Sequence, residues 1–291
     1  MTGPGAFSGD PAVKAALLAA LDRHVKEGTL LFDGTIWDGV RGSPLGIAIE
    51  GDDLQLYSDR FGYPLPLVAL LDPLARQYRA TEDAIEFVRC WIETPAVGAY
   101  LDNIPAALIR YLLTPFDIQG ACQPLVQELL RLHGLGTDQD QPSREDWAAV
   151  RSMIVRLDAE PLEEAEKRIL SLCETVAWPA NRGCSILNEA LSAARRIAAS
   201  TGLESWTQED QKQSDLILQR LWNDTEEARA AGEQPDFPAL FHAEQPELAA
   251  RFEENLRLSN AAYLQCGLDF ADRCLALFAA APVSAASHQP A

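Results

Sequence analysis

The chain contains no apolar run approaching the ~20 residues that span a bilayer, which excludes a helical membrane protein. It also lacks the local signatures of the commonest chemistries. There is no Gly-x-x-x-x-Gly-Lys-Ser/Thr loop, no Gly-x-Gly-x-x-Gly turn and no Gly-x-Ser-x-Gly elbow, so the usual nucleotide sites and serine hydrolases are not indicated. No Glu-x-x-His pair is present for a helical di-metal centre, and no Cys-x-x-Cys for a structural zinc site. Positive charge is scarce as well: 24 Lys and Arg stand against 43 Asp and Glu, a formal net charge of −19. A field of that sign repels nucleic acid and anionic lipid, so neither is an expected partner.

What remains is an ordinary globular composition in 291 residues, 47% hydrophobic and 23% charged, long enough to bury a core without covalent staples. The six cysteines, at 90, 122, 173, 184, 266 and 274, are therefore expected as free thiols in a reducing cytoplasm. The acidity is uneven. Residues 201–291 carry 15 acids and 6 bases, against 14 and 8 in residues 1–100. Met1 to Asp10 is rich in Gly and Pro, without the charged flank of a secretory signal, and is expected as a loose leader; residues 282–291 are expected as a flexible tail.

Hydrophobic periodicity predicts a mainly helical protein. Val13, Leu17, Leu21 and His24 share one face of a helix over 11–27 that Gly28 ends. Thr29–Phe32, Leu45–Ile49 and Leu54–Tyr57 are short β-rich runs, the last two separated by Glu50-Gly51-Asp52-Asp53, and together they predict a small N-terminal antiparallel β element. Helices follow over 67–79, 82–93, 105–113 and 120–132. The Gly-, Gln- and Asp-rich stretch to Pro142 sets a domain boundary near 140, dividing an 11–140 region from a helical bundle over 141–281. Ser143 with Asp146, and Thr207 with Asp210, have the spacing of capping boxes, and Pro161 opens a further helix. A last helix over 247–280 carries Leu256, Tyr263, Phe270 and Leu277 on a strict seven-residue repeat, either a core stripe or a seam for a second copy.

Leu31-Phe32-Asp33-Gly34-Thr35 resembles the first motif of haloacid-dehalogenase-type phosphatases, a strand ending in Asp-x-Asp-Gly-Thr. The nucleophilic Asp is replaced by Leu31, which forms no phosphoryl intermediate, so the resemblance implies no such activity. The aspartates at 33, 38, 52 and 53 read as turn formers rather than metal ligands, and neither metal nor cofactor is expected. The candidate binding residues are Asp33, Trp37, Asp38 and Arg41 in the Gly-rich loop, with Tyr57, Arg60 and Tyr63 after it, because an amphipathic ring on a loop suits contact with a ligand or partner. The first expectation for function is an acidic helical module, of adaptor or toxin-neutralising type, that docks a basic protein by electrostatic steering. Two alternatives stand beside it: a helical enzyme with a pocket near Trp37, and a structural protein that self-associates through its last helix.

Overall fold

The structure, a computed structural model, describes residues 5–114, 120–135, 141–200 and 202–283. It is mainly helical. Among the described residues there are fourteen α-helices and no strand; the extended pairings are isolated bridges, Leu30 with Gly42, Trp37 with Gly42, and Ala99 with Val283. None of the described helices is long and apolar enough to cross a membrane. The chain divides into two compact units, residues 1–194 with 267–291, and residues 195–266. The boundary expected near residue 140 falls on residues 136–140, outside the described residues.

In the larger unit, α1 (Pro11–Glu27) starts where the Asp10 carboxylate accepts the Ala12 N–H at 2.8 Å and stops at Gly28, whose φ of 65° suits a residue without a Cβ. Then the structure departs from the expected β element. Leu45–Ile49 lies in α2 (Pro44–Ile49) and Leu54–Tyr57 in α3 (Leu54–Phe61). The capping residues override the β-branched side chains. The Ser43 hydroxyl accepts the Gly46 N–H with Pro44 at the first helical position, while the Asp53 carboxylate accepts from Gln55 and Leu56. The Glu50-Gly51-Asp52-Asp53 stretch between those runs is a link between two short helices, with Glu50 in the left-handed region. Thr29–Phe32 is loop.

Helices α4 (Leu65–Ala75), α5 (Thr81–Glu93), α6 (Ile104–Leu113), α7 (Gln123–Leu132), α8 (Arg144–Asp158) and α9 (Glu164–Thr175) continue the unit. Its core is aromatic. Tyr57, Phe61, Tyr63, Trp91 and Phe278 are all buried in edge or stacked contacts with ring centroids 4.7–5.9 Å apart, and Phe7 joins them at 5.9 Å from Tyr63. Thus residues 5–10 of the expected leader form a 3-10 turn, Ala6–Gly9, with Ala6 and Phe7 fully buried. At the other end, Tyr100 N–H donates to the Pro282 carbonyl at 2.8 Å; residues 284–291 of the expected tail lie outside the described residues.

α10 (Ile186–Ala199) and α14 (Pro246–Ala279) have residues in both units. The smaller unit also contains α11 (Gln208–Asp224), α12 (Glu226–Ala230) and α13 (Phe237–Glu244). Leu221, Phe241, Leu248 and Ala249 form its buried core, with Trp206, Ile217, Leu218, Phe237 and Phe252 packed around them. The capping box of Thr207 and Asp210 is present, and Arg251 grips the same Asp210 carboxylate through two N–H donors at 2.6 and 3.0 Å. Along α14 the seven-residue series changes character: Leu256 and Tyr263 are 44% and 38% exposed, Leu277 is half-buried and Phe270 is fully buried. The most exposed part of the series is thus Leu256 and Tyr263.

Candidate functional site

The 29–43 loop is pinned by its own backbone. Leu31 N–H donates to Gly42 O at 2.7 Å, Gly42 N–H to Thr29 O at 3.0 Å, Asp38 N–H to Arg41 O at 2.9 Å and Ser43 N–H to Ile36 O at 2.9 Å. The Ile36 carbonyl rests on two glycines. A Cβ on Gly42 would lie 2.3 Å from that oxygen, and one on Gly46 only 1.7 Å away, so these positions admit no side chain without moving the backbone. At the root of the loop, Arg23 donates to His24 Nε2 at 3.2 Å, which leaves the proton on Nδ1 facing Thr29 Oγ1 at 2.7 Å. Burial foremost, then the neighbouring Arg23, keeps His24 below its ordinary pKa and hence neutral.

The candidate residues of this loop do not converge on a common space. Asp33 accepts the Thr35 N–H at 2.9 Å, and Asp38 accepts from Val40 and Arg41 N–H at 3.0 and 2.7 Å; these backbone bonds hold both carboxyls below their ordinary pKa. Arg41 also reaches Asp38 Oδ2 through Nε at 3.1 Å. Trp37 is half-buried, turned over Gly42 with its ring edge-on to His24 at 6.2 Å. Tyr57 and Tyr63 belong to the aromatic core, where Tyr63 O–H donates to Trp91 O at 2.8 Å, and burial raises both phenols. Arg60 is exposed beside the Phe61 ring. Of the seven residues, only Asp38 and Arg41 bond to one another through their side chains, and only Tyr63 lines a pocket among those described, a separate depression shared with Gly5, Ser58 and Tyr100.

A cavity is lined in part by other residues of the same loop. A space of ≈ 230 Å³ is lined by Leu31, Phe32, Gly34 and Ile36, by Ser43 to Leu45 at the start of α2, by Leu54 of α3, and by one face of α4. That face contributes Val68, Ala69, Asp72 and Pro73, followed by Arg76 at the end of the helix. Sequence explains the wall. α4 reads Leu-Pro-Leu-Val-Ala-Leu-Leu-Asp-Pro-Leu-Ala, apolar all round except at Asp72, so the helix is buried and its single carboxyl has little water around it. Pro73 has no N–H to give to the Ala69 carbonyl four residues earlier; Asn188 Nδ2 supplies the missing donor at 2.7 Å.

Asp72 joins α4 to α2. Its Oδ1 accepts the Leu45 N–H at 3.0 Å, and the Ser43 hydroxyl bonds to the same carboxyl. Burial raises its pKa above the ordinary carboxylate value, and the bonds from Ser43 and Leu45, with the charge of Arg76, offset part of that rise. Arg76 stands at the loop side of the cavity, its Nη1 3.2 Å from where a Gly34 Cβ would be. Ser43, Asp72 and Arg76 are absent from the sequence-derived candidates. The signal was a lone acid four residues before an arginine in an otherwise apolar helix.

No protein-family model, no curated protein and no solved structure matches the chain, so a functional reading rests on the chain's own residues.

Proposed function

We propose that this protein binds a small organic molecule in the cavity between the 31–36 segment, α2 and α4. The observation that carries the reading is the pairing of apolar walls with a few polar groups, Asp72 foremost, whose protonation is perturbed by burial; ligand sites characteristically combine these features. Size sets a limit on the occupant. A 150 Å³ apolar cavity holds benzene, so ≈ 230 Å³ suits one ring, or one branched chain, with a short polar extension. The test is thermal unfolding against a panel of such compounds, neutral, cationic, anionic and zwitterionic, comparing the protein with Ala69→Phe, which fills the chamber. A ligand at a hundred times its Kd adds about 2.7 kcal/mol to stability, an increase the filled variant should not show. If no compound stabilises the protein, or the filled variant responds equally, the reading fails.

Docking of a basic protein is the second reading, supported by the net charge of −19 and by Leu216 and Trp222 of α11, which are 69% and 53% exposed. An acidic surface with apolar points suits a basic, amphipathic partner. Its test is the association rate with a basic model peptide, which should fall steeply as salt is raised; indifference to salt would remove the reading.

A further inference from the structure

The two charged side chains of the cavity, Asp72 and Arg76, are four residues apart on α4 and its cap. That spacing sets Cβ atoms about 5–6 Å apart and on a helix surface favours a direct ion pair. Among the described residues neither forms one. Asp72 is turned to the Leu45 N–H and the Ser43 hydroxyl, and the Arg76 guanidinium lies against Gly34. One apolar chamber therefore has a carboxyl and a guanidinium on its wall that feel each other's charge without bonding directly.

This arrangement selects among ligands by charge. A simple amine would satisfy Asp72 and leave Arg76 facing a second cation, whereas a simple acid would satisfy Arg76 and crowd Asp72. Either would leave one of the two protein charges unmatched, which costs most at Asp72, where burial leaves little water. A molecule with both an ammonium and a carboxylate is neutral overall and matches each protein group with its opposite. The volume left for its apolar part is that of a single ring or branched chain. Resting on the cavity reading above, we infer that the ligand is an apolar α-amino acid or a close zwitterionic relative, its ammonium on Asp72, its carboxylate on Arg76 and its side chain against Leu45, Leu54 and Val68.

Calorimetric titration of the full chain tests this with two matched series: L-phenylalanine, phenethylamine and 3-phenylpropionate, then L-leucine, isoamylamine and 4-methylpentanoate. In at least one series the amino acid should bind about tenfold or more tighter than both singly charged analogues, a difference of about 1.4 kcal/mol. Arg76→Leu should erase the preference over the amine, and Asp72→Asn the preference over the acid. Asparagine retains a carbonyl oxygen for the Leu45 N–H, and an unchanged circular dichroism spectrum would show that the fold persists. Equal binding of an amine or an acid by the unaltered protein overturns the inference. If neutral alkylbenzenes bind while the amino acids do not, the ligand class is wrong and the cavity reading survives. Amino-acid binding that persists in Ala69→Phe, or no binding by any compound, overturns both.

Discussion

Acidification should unfasten the larger unit through one histidine. His133 follows α7, is buried, and bonds through Nε2 to the Val176 carbonyl at 2.9 Å with its ring edge against Trp147. Burial is the main force pushing its pKa down from 6.5 to about 4; Arg110 pushes the same way, and the Val176 carbonyl opposes them. A buried imidazole held neutral is lost on the acid side. Below pH 6.5 the unfolded chain takes up a proton that the folded protein refuses until about pH 4, so stability falls as pH drops through that window and is complete above it. At about 1.36 kcal/mol per pH unit, the gap between 6.5 and about 4 amounts to about 3 kcal/mol, of which about 2 kcal/mol is lost by pH 5. Urea unfolding followed by circular dichroism at pH 7.5 and pH 5.0 measures this, with His133→Gln as the reference in which the titrating group is gone and an amide remains to serve Val176. The carboxylates titrate alike in both proteins, so the excess pH sensitivity of the unaltered chain is the contribution of His133. Parallel pH dependences in the two proteins would refute the reasoning.

Three further outcomes follow from particular contacts. Gly46→Ala puts a methyl group 1.7 Å from the Ile36 carbonyl oxygen; the loop must move, and thermal unfolding should show a loss of about 1–3 kcal/mol, with any cavity ligand bound more weakly. Asn188→Ala leaves the Ala69 carbonyl without its donor and should cost about 1–3 kcal/mol in urea unfolding, whereas Asn188→Asp, acceptor-only when ionised, should be no better. Thr207→Ala removes the cap at the start of α11 and should lower stability by about 1 kcal/mol, visible as faster amide exchange at the first turn of that helix.

Where a helix carries both a periodic face and its end signals, its extent is legible: α1 occupies the interval predicted for it, bracketed by Asp10 and Gly28, and the boxes at Ser143 and Thr207 start α8 and α11. The start of α9 is shifted from Pro161 to Glu164 because a box of Glu163 and Glu166 caps it, with an acid where a hydroxyl is customary. The β element failed for a related reason. Ile47 and Ile49 favour strand by side chain, but Ser43-Pro44 and Asp53 are helix-start signals, and in segments of six and eight residues the ends decide. The cavity was illegible because its members are brought together by tertiary packing across α2, α3 and α4. Only Asp72, an acid without neighbours of its kind in an apolar helix, marked the place in one dimension.

The seating of the Ile36 carbonyl on Gly42 and Gly46 has a kinetic consequence. A segment clasped by its own main-chain bonds and two bare α-carbons behaves as a wall rather than a door. On the proposed cavity reading, a guest would be admitted past a long, solvent-facing side chain, Arg76, whose rotamers interchange in picoseconds to nanoseconds. Uptake should accordingly be a single concentration-dependent phase, without the slow isomerisation that accompanies the opening of a lid.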